Sequence, residues 1–220
     1  MSKMVWDQTG ERLYETGVEQ VALYPQVDGA YPKGVAWNGI TAVNVTPSGA
    51  EPTPLYANDK KYAVLMSAEE LGGTIEAYMY PDEWEACDGS ASMIPGVYVG
   101  QQPRTTFGLV FKTLIGNDTE GIKHGYKLHI IYGALASPSE QSNATVNDSP
   151  EAKTMSWEFS TTPVEIPGFE PTSHITIDST TVNAEKLAAL EAKLYGSADE
   201  EPTLPMPDEL ATLLGATTAG

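Results

Sequence analysis

The sequence predicts a mainly β fold: a β-sandwich or partial barrel with a packed short helix, plus a C-terminal helical appendage. Three observations carry this. Short segments with period-two alternation of apolar and polar residues recur up to about residue 160, each bounded by Gly, Pro, Asn or Asp. Sustained helical periodicity appears only late, in AEKLAALEAKLY. The chain has 220 residues, 41% of them hydrophobic and 9% aromatic, enough to bury a core without covalent staples and unlike a disordered composition.

In chain order, Val18–Tyr24 (VEQVALY) is the first strand, followed by the turn-rich VDGAYPKG. Gly39–Thr46 (GITAVNVT) alternates, with Thr41, Val43 and Val45 on one face. The next stretch, Thr46–Tyr62 (TPSGAEPTPLYANDKKY), has three prolines, a glycine and no periodicity of its own. It reads as a long irregular connection, and connections of that length are usually functional or disordered. Its prolines restrict the unfolded chain, so docking it onto a neighbour costs less entropy. Leu55 and Tyr56 sit at its centre as anchor residues, which makes Pro52, Pro54, Leu55 and Tyr56 the candidate subunit-interface site.

Thr74–Tyr80 (TIEAYMY) sets Ile75, Ala77 and Met79 against Glu76 and Tyr78. A short helix is expected at Pro81–Cys87, with Pro81 in the first helical position, Asp82 and Glu83 near the positive helix end, and Trp84 pointing inward. Thr105–Ile115 places Phe107, Leu109 and Phe111 on one side, and Tyr126–Ala136 groups Tyr126, Leu128, Ile130 and Tyr132. Thr154–Ser160 aligns Met155, Trp157 and Phe159 against Ser156 and Glu158. The character changes after Pro163. Asn183 caps a helix over Ala184–Tyr195 with a Leu187, Leu190, Leu194 stripe, and Gly196 stops it. Pro207 opens a second helix over Asp208–Leu214, ended by Gly215, and the final ATTAG is expected to fray. The predicted division is a β domain over 1–165 and an extension over 166–220, whose charge and proline breaks suit an exposed decoration on the exterior of an assembly, with a joint between neighbouring units as the alternative.

Charge narrows the function classes. There are 30 acidic and 12 basic residues, a formal charge of −18, and only Arg12 and Arg104 are arginines. Affinity for nucleic acid comes largely from Lys and Arg neutralising phosphates, so this chain should repel a phosphate backbone. A high net charge also keeps a concentrated protein soluble. The single cysteine, Cys87, cannot form an internal disulfide and fits a reducing compartment. The N-terminus lacks the apolar core and cleavage site of a signal peptide. No apolar run approaches the roughly 20 residues of a membrane helix. Asn44, Asn117, Asn143 and Asn147 match the glycosylation pattern, which is expected by chance in a chain without a secretory signal.

A search for clustered reactive groups yields no catalytic residues, cofactor or metal. His124 and His129 lie an odd offset apart and would point to opposite faces of a regular strand, and His174 lies on another strand. Cys87 sits beside Glu85 and Asp88, which disfavour a thiolate, so it is expected to be structural. Glu69-Glu70, Asp82-Glu83 and Glu200-Glu201 are expected in loops or helix starts as solvated groups. Gly72-Gly73, Gly116 and Gly121 form no phosphate loop. Trp84 and Trp157 are assigned to core packing.

The order of segments resembles a known family. GVEQVALYP, then GVAWNGITAVNVTPSGAEPTPLYANDKKYAV, then GTIEAYMYPDEW are similar to the major tail protein, or tail tube protein, of long-tailed bacteriophages, in its phi13-type subgroup. The likeness continues through FGLVFKTLIGNDTEGIKHGYKLHIIYGALASPSEQSNATVND and TMSWEFSTTPV to the AEKLAALEAKLYGSADEEPTLPMPDELATL tail, covering roughly residues 18–215. The resemblance implies a structural, non-enzymatic virion protein made in the host bacterial cytoplasm. Copies of the chain would form hexameric rings that stack into a hollow tube. Tape-measure and terminator proteins would meet the tube ends, and DNA would pass through the lumen without specific binding or a membrane. The competing expectation is a monomeric β-sandwich module that binds carbohydrate or protein through exposed Trp and Tyr, with a carboxylate-pair hydrolase ranked last.

Overall fold

The computed structural model describes residues 3–49, 51–143, 145 and 152–215. The first half runs β1 (Tyr14–Pro25), β2 (Val35–Ala36), β3 (Ile40–Gly49), β4 (Pro52–Ala57), β5 (Lys60–Met66), β6 (Glu69–Ala77), α1 (Trp84–Asp88), β7 (Ala91–Ile94) and β8 (Val97–Val99). The second half runs β9 (Phe107–Asn117), β10 (Gly121–Ala136), β11 (Met155–Thr161), β12 (Val164–Ile166), β13 (Phe169–Thr172), β14 (His174–Asp178), α2 (Ala184–Tyr195) and α3 (Pro207–Leu214). The fold is mainly β and sandwich-like, as the alternation predicts. Its main sheet has eight antiparallel strands in the order β2-β1-β9-β10-β11-β6-β3, with β14 also paired to β10.

Strand β10 organises the molecule. Along its first part, Lys127–Ile131 pair with β14, and along its last part Ala134–Ala136 pair with β11. The change of partner occurs at a bulge between Ile131 and Ala134, where Gly133 has φ +61°. A Cβ on Gly133 would lie 2.3 Å from the carbonyl oxygen of Thr162, so only glycine fits this corner. The bend folds the β11–β6–β3 part of the sheet over the β1–β9–β10 part. Val21, Leu23, Phe107 and Leu109 thereby meet Ile75, Ala77, Trp157 and Phe159 in the first core. Three tryptophans fill it: Trp37 and Trp84 have ring centroids 4.6 Å apart, and Trp157 lies 5.5 Å from Trp84. Trp37 Nε1 donates to the Met79 carbonyl at 2.9 Å, which gives this buried indole its partner.

The other face of β1, β9 and β10 makes a second core. Tyr24, Val110, Leu128, Ile130 and Tyr132 pack against Leu187, Leu190 and Leu194 of α2 and Leu210 of α3. Both faces of β9 are therefore covered. Phe107, Leu109 and Phe111 share one side as expected, while Val110 between them is equally buried on the other.

Residues 166–220 hold the two expected helices. Asn183 caps α2, its side chain accepting from the Glu185 and Lys186 N–H groups, and Gly196 ends it with φ +79°. Pro207 begins α3 and Gly215 ends it in the left-handed conformation. What the sequence did not carry is their placement. Strand β14 joins the main sheet, Tyr24 Oη donates to the Leu194 carbonyl at 2.6 Å, and Tyr132 Oη donates to that of Pro205 at 2.9 Å. Nearly buried Lys112 reaches from β9 to Glu191 of α2 at 2.7 Å.

Four local expectations are corrected. Thr41 is exposed, because a bulge between Ile40 and Ala42 puts Ile40 with Val43 and Val45 on the core side. Met79 is exposed because β6 ends at Ala77. The helix expected from Pro81 starts at Trp84, the preceding residues forming a turn in which the Trp84 N–H donates to the Pro81 carbonyl. Glu69 and Glu70 lie within β6 and not in a loop. The ATTAG end and the Asn147 pattern lie outside the described residues.

Candidate assembly surface

The largest departure from the sequence reading concerns Thr46–Tyr62, which is not an irregular connection. It belongs to a long two-stranded arm. Strands β3 and β6 pair as far as Gly49↔Glu69, and β4 and β5 continue the ribbon from Pro52↔Met66 to Ala57↔Lys60. Asn58 and Asp59 turn the chain with φ of +51° and +59°, the conformation that two-residue hairpin turns need and that Asn and Asp tolerate. Three prolines hide the strand character, because proline depresses any strand estimate.

All four candidate interface residues lie on β4, and all are exposed. Cross-strand pairs share a face. Pro52, Pro54, Val64 and Met66 therefore lie on one side of the ribbon, and Thr53, Leu55, Ala63 and Leu65 on the other. Both sides face solvent: Leu55 is 41% exposed, Tyr56 70%, Tyr62 79%, Leu65 58% and Met66 68%. Proline cannot donate to a ladder and is confined to strand edges. The free edge of β4 thus lacks donors at positions 52 and 54, which closes that edge to a further strand and leaves the side chains to make contacts.

Two further apolar projections lie outside the expected site. The β7–β8 hairpin turns at Pro95-Gly96, with Gly96 at φ +82°, and exposes Met93, Ile94, Val97, Tyr98 and Val99. The signal for it was present, since Pro-Gly between two short apolar runs marks a turn. The segment before β1 exposes Met4, Val5, Trp6 and Leu13, and is pinned to the body by Gly10 N–H donating to Asp118 Oδ1 at 2.9 Å.

The remaining candidate groups fall in other settings. Cys87 lies on the buried face of α1 in the first core, and desolvation, with a smaller contribution from Asp88, pushes its thiol up to about 12. His124 pairs with Glu120 at 2.8 Å. His129 and His174, remote in sequence, are brought together by the β10–β14 pairing, 3.1 Å apart between ring nitrogens. A cavity of about 590 Å³ lies between β1, the Gly34–Asn38 segment and the end of α2, and Tyr195 is the one titratable side chain lining it. Among the described residues, no three His, Cys, Asp or Glu side chains converge as a metal site, and no helix is long and apolar enough to cross a membrane.

Comparison with models of known protein families finds no match to this chain, and comparison with curated proteins finds none either.

Proposed function

We propose that this chain is a self-assembling structural protein of the bacteriophage tail-tube kind. In this reading six copies close a ring, rings stack into a tube, and DNA passes through the bore. The observation that carries the reading is the β4–β5 arm. A two-stranded ribbon is marginal alone in water, yet this one holds large apolar side chains in solvent on both faces. Scattered exposed apolar residues are ordinary, but contiguous ones on a projecting element mark an interaction surface. The β7–β8 hairpin and the segment before β1 add two more such surfaces on the same body, as suits a subunit with several neighbours. Identical copies are the economical partner, because a ring or stack satisfies the same surface on every member.

The charge supports the same reading. A wall with few Lys and Arg side chains in a chain of −18 does not retain phosphates, so a duplex can slide through. Tape-measure and terminator proteins would meet the ends of such a tube, and its place would be the virion.

Negative-stain electron microscopy of the purified full chain tests the proposal. Rings or tubes are expected, and the double variant Leu55→Ser/Tyr56→Ser is expected to lose them at an unchanged melting temperature. A wild-type chain that stays monomeric at all concentrations sinks the proposal, and retention of a glycan by that monomer favours the binding-module alternative.

A further inference from the structure

We propose that His129, His174 and Thr176 form a binding site for a divalent transition-metal ion of the zinc class. The site is independent of the assembly reading. In the β10–β14 ladder His129 lies opposite Thr176, and His174 lies two residues before Thr176 on the same face. Their donor atoms form a compact triangle. His129 Nδ1 is 3.1 Å from His174 Nε2, and Thr176 Oγ1 is 3.4 Å from each. At zinc–nitrogen bonds of about 2.0–2.1 Å, tetrahedral angles put neighbouring donors about 3.3–3.4 Å apart. The triangle is thus close to one face of a tetrahedron before any ion enters. Thr176 is exposed, which leaves the fourth position to water.

The surroundings orient His129 as a ligand. Thr113 Oγ1 donates its one proton to Glu15 Oε1 at 2.7 Å. The same oxygen lies 2.9 Å from His129 Nε2 and must therefore accept from it. This fixes the proton on Nε2 and makes Nδ1 the acceptor of the 3.1 Å hydrogen bond from His174 Nε2–H; an entering ion replaces that bond, with His174 then carrying its proton on Nδ1. Metal-bound imidazoles are commonly held by such a donation from the other ring nitrogen toward a carboxylate or hydroxyl. The ring is also clamped, stacked on Phe111 at 4.7 Å between centroids and meeting His174 edge to edge. Neutral imidazole is the form that ligates. Imidazole suits zinc, copper and nickel, while magnesium and calcium prefer carboxylate and carbonyl oxygen.

The test uses the full chain without a polyhistidine tag, stripped with EDTA. Zn²⁺ alone is followed by titration calorimetry and Co²⁺ alone by visible absorption. One ion per chain is expected, with the strong visible bands of a tetrahedral cobalt site. His174→Ala and His129→Gln should each weaken binding at least tenfold. Thr113→Val should weaken it about tenfold, as outer-shell losses do. His124→Ala should leave it unchanged. Circular dichroism of each metal-free variant checks folding; if His129→Gln fails to fold, His174→Ala carries the test. No saturable binding by the wild type overturns the proposal, as does binding that survives His174→Ala in a folded protein.

Discussion

The register of the arm permits a clean excision. Gly49 and Glu69 are directly paired, so residues 50–68 can be replaced by Asn-Gly, a two-residue turn suited to antiparallel strands, without shifting β3 against β6. Two terms decide the effect on stability. Shortening the connection from about nineteen residues to two removes roughly three doublings of loop length, a gain of about 2 kcal/mol at about 0.6 kcal/mol each. Against it stand the six paired positions of β4 and β5, which as solvent-exposed pairs fall near about 0.5 kcal/mol apiece within a span of about 0.2–1, or about 3 kcal/mol together. No side chain of β4 or β5 belongs to either core, so little burial is lost. The terms nearly offset, leaving about 1 kcal/mol, which in a domain of this size moves the melting temperature by about 2–4 °C. The assay pairs a thermal melt of the unassembled chain with electron microscopy. The excised protein should melt almost normally and form neither rings nor tubes. Intact tubes refute the assignment of the arm to assembly. A melting temperature lowered several times further refutes the view that the arm is separate from the core.

Two other perturbations address the body. Leu190 is fully buried between α2 and the sheet, so Leu190→Ala should cost about 3 kcal/mol and still give a single urea transition; two transitions would show that α2 unfolds apart from the sheet. Cys87 has a folded-state pKa raised to about 12 against about 8.5 unfolded, so its contribution is complete below about 8.5 and is lost as pH rises toward the folded value. Between pH 8.5 and 9.5 this thiol should cost about 1 kcal/mol of stability, and Cys87→Ala should flatten the slope without abolishing it, because buried Tyr24 and Tyr132 also ionise more readily in the unfolded chain; an unchanged slope in the variant refutes the assignment.

The strands were legible where local chemistry and tertiary setting agree. Met155, Trp157 and Phe159 face inward against exposed Ser156 and Glu158 because β11 has one buried face and one wet face. The α2 helix was readable to the residue, since Asn183 and Gly196 mark its ends chemically. The arm was hidden by Pro47, Pro52 and Pro54, which break the alternation that identifies a strand. The bulge beside Ile40 reversed the position of Thr41, because a one-residue shift moves a side chain to the other face and leaves no mark on composition. His174 reaches His129 only through the β10–β14 register, a long-range pairing that no spacing rule anticipates. The candidate residues on β4 were found for their anchor chemistry, while their regular geometry was not foreseen.

Strand β10 has a consequence for how the protein opens. Ile130 and Tyr132 belong to one core, and Ile131 and Ala134 to the other. Melting either layer strips a wall from its neighbour, so neither half has a private route to unfolding. Amide protons in the middle of this strand should exchange with deuterium only when the whole molecule comes apart, while those of the arm should exchange long before.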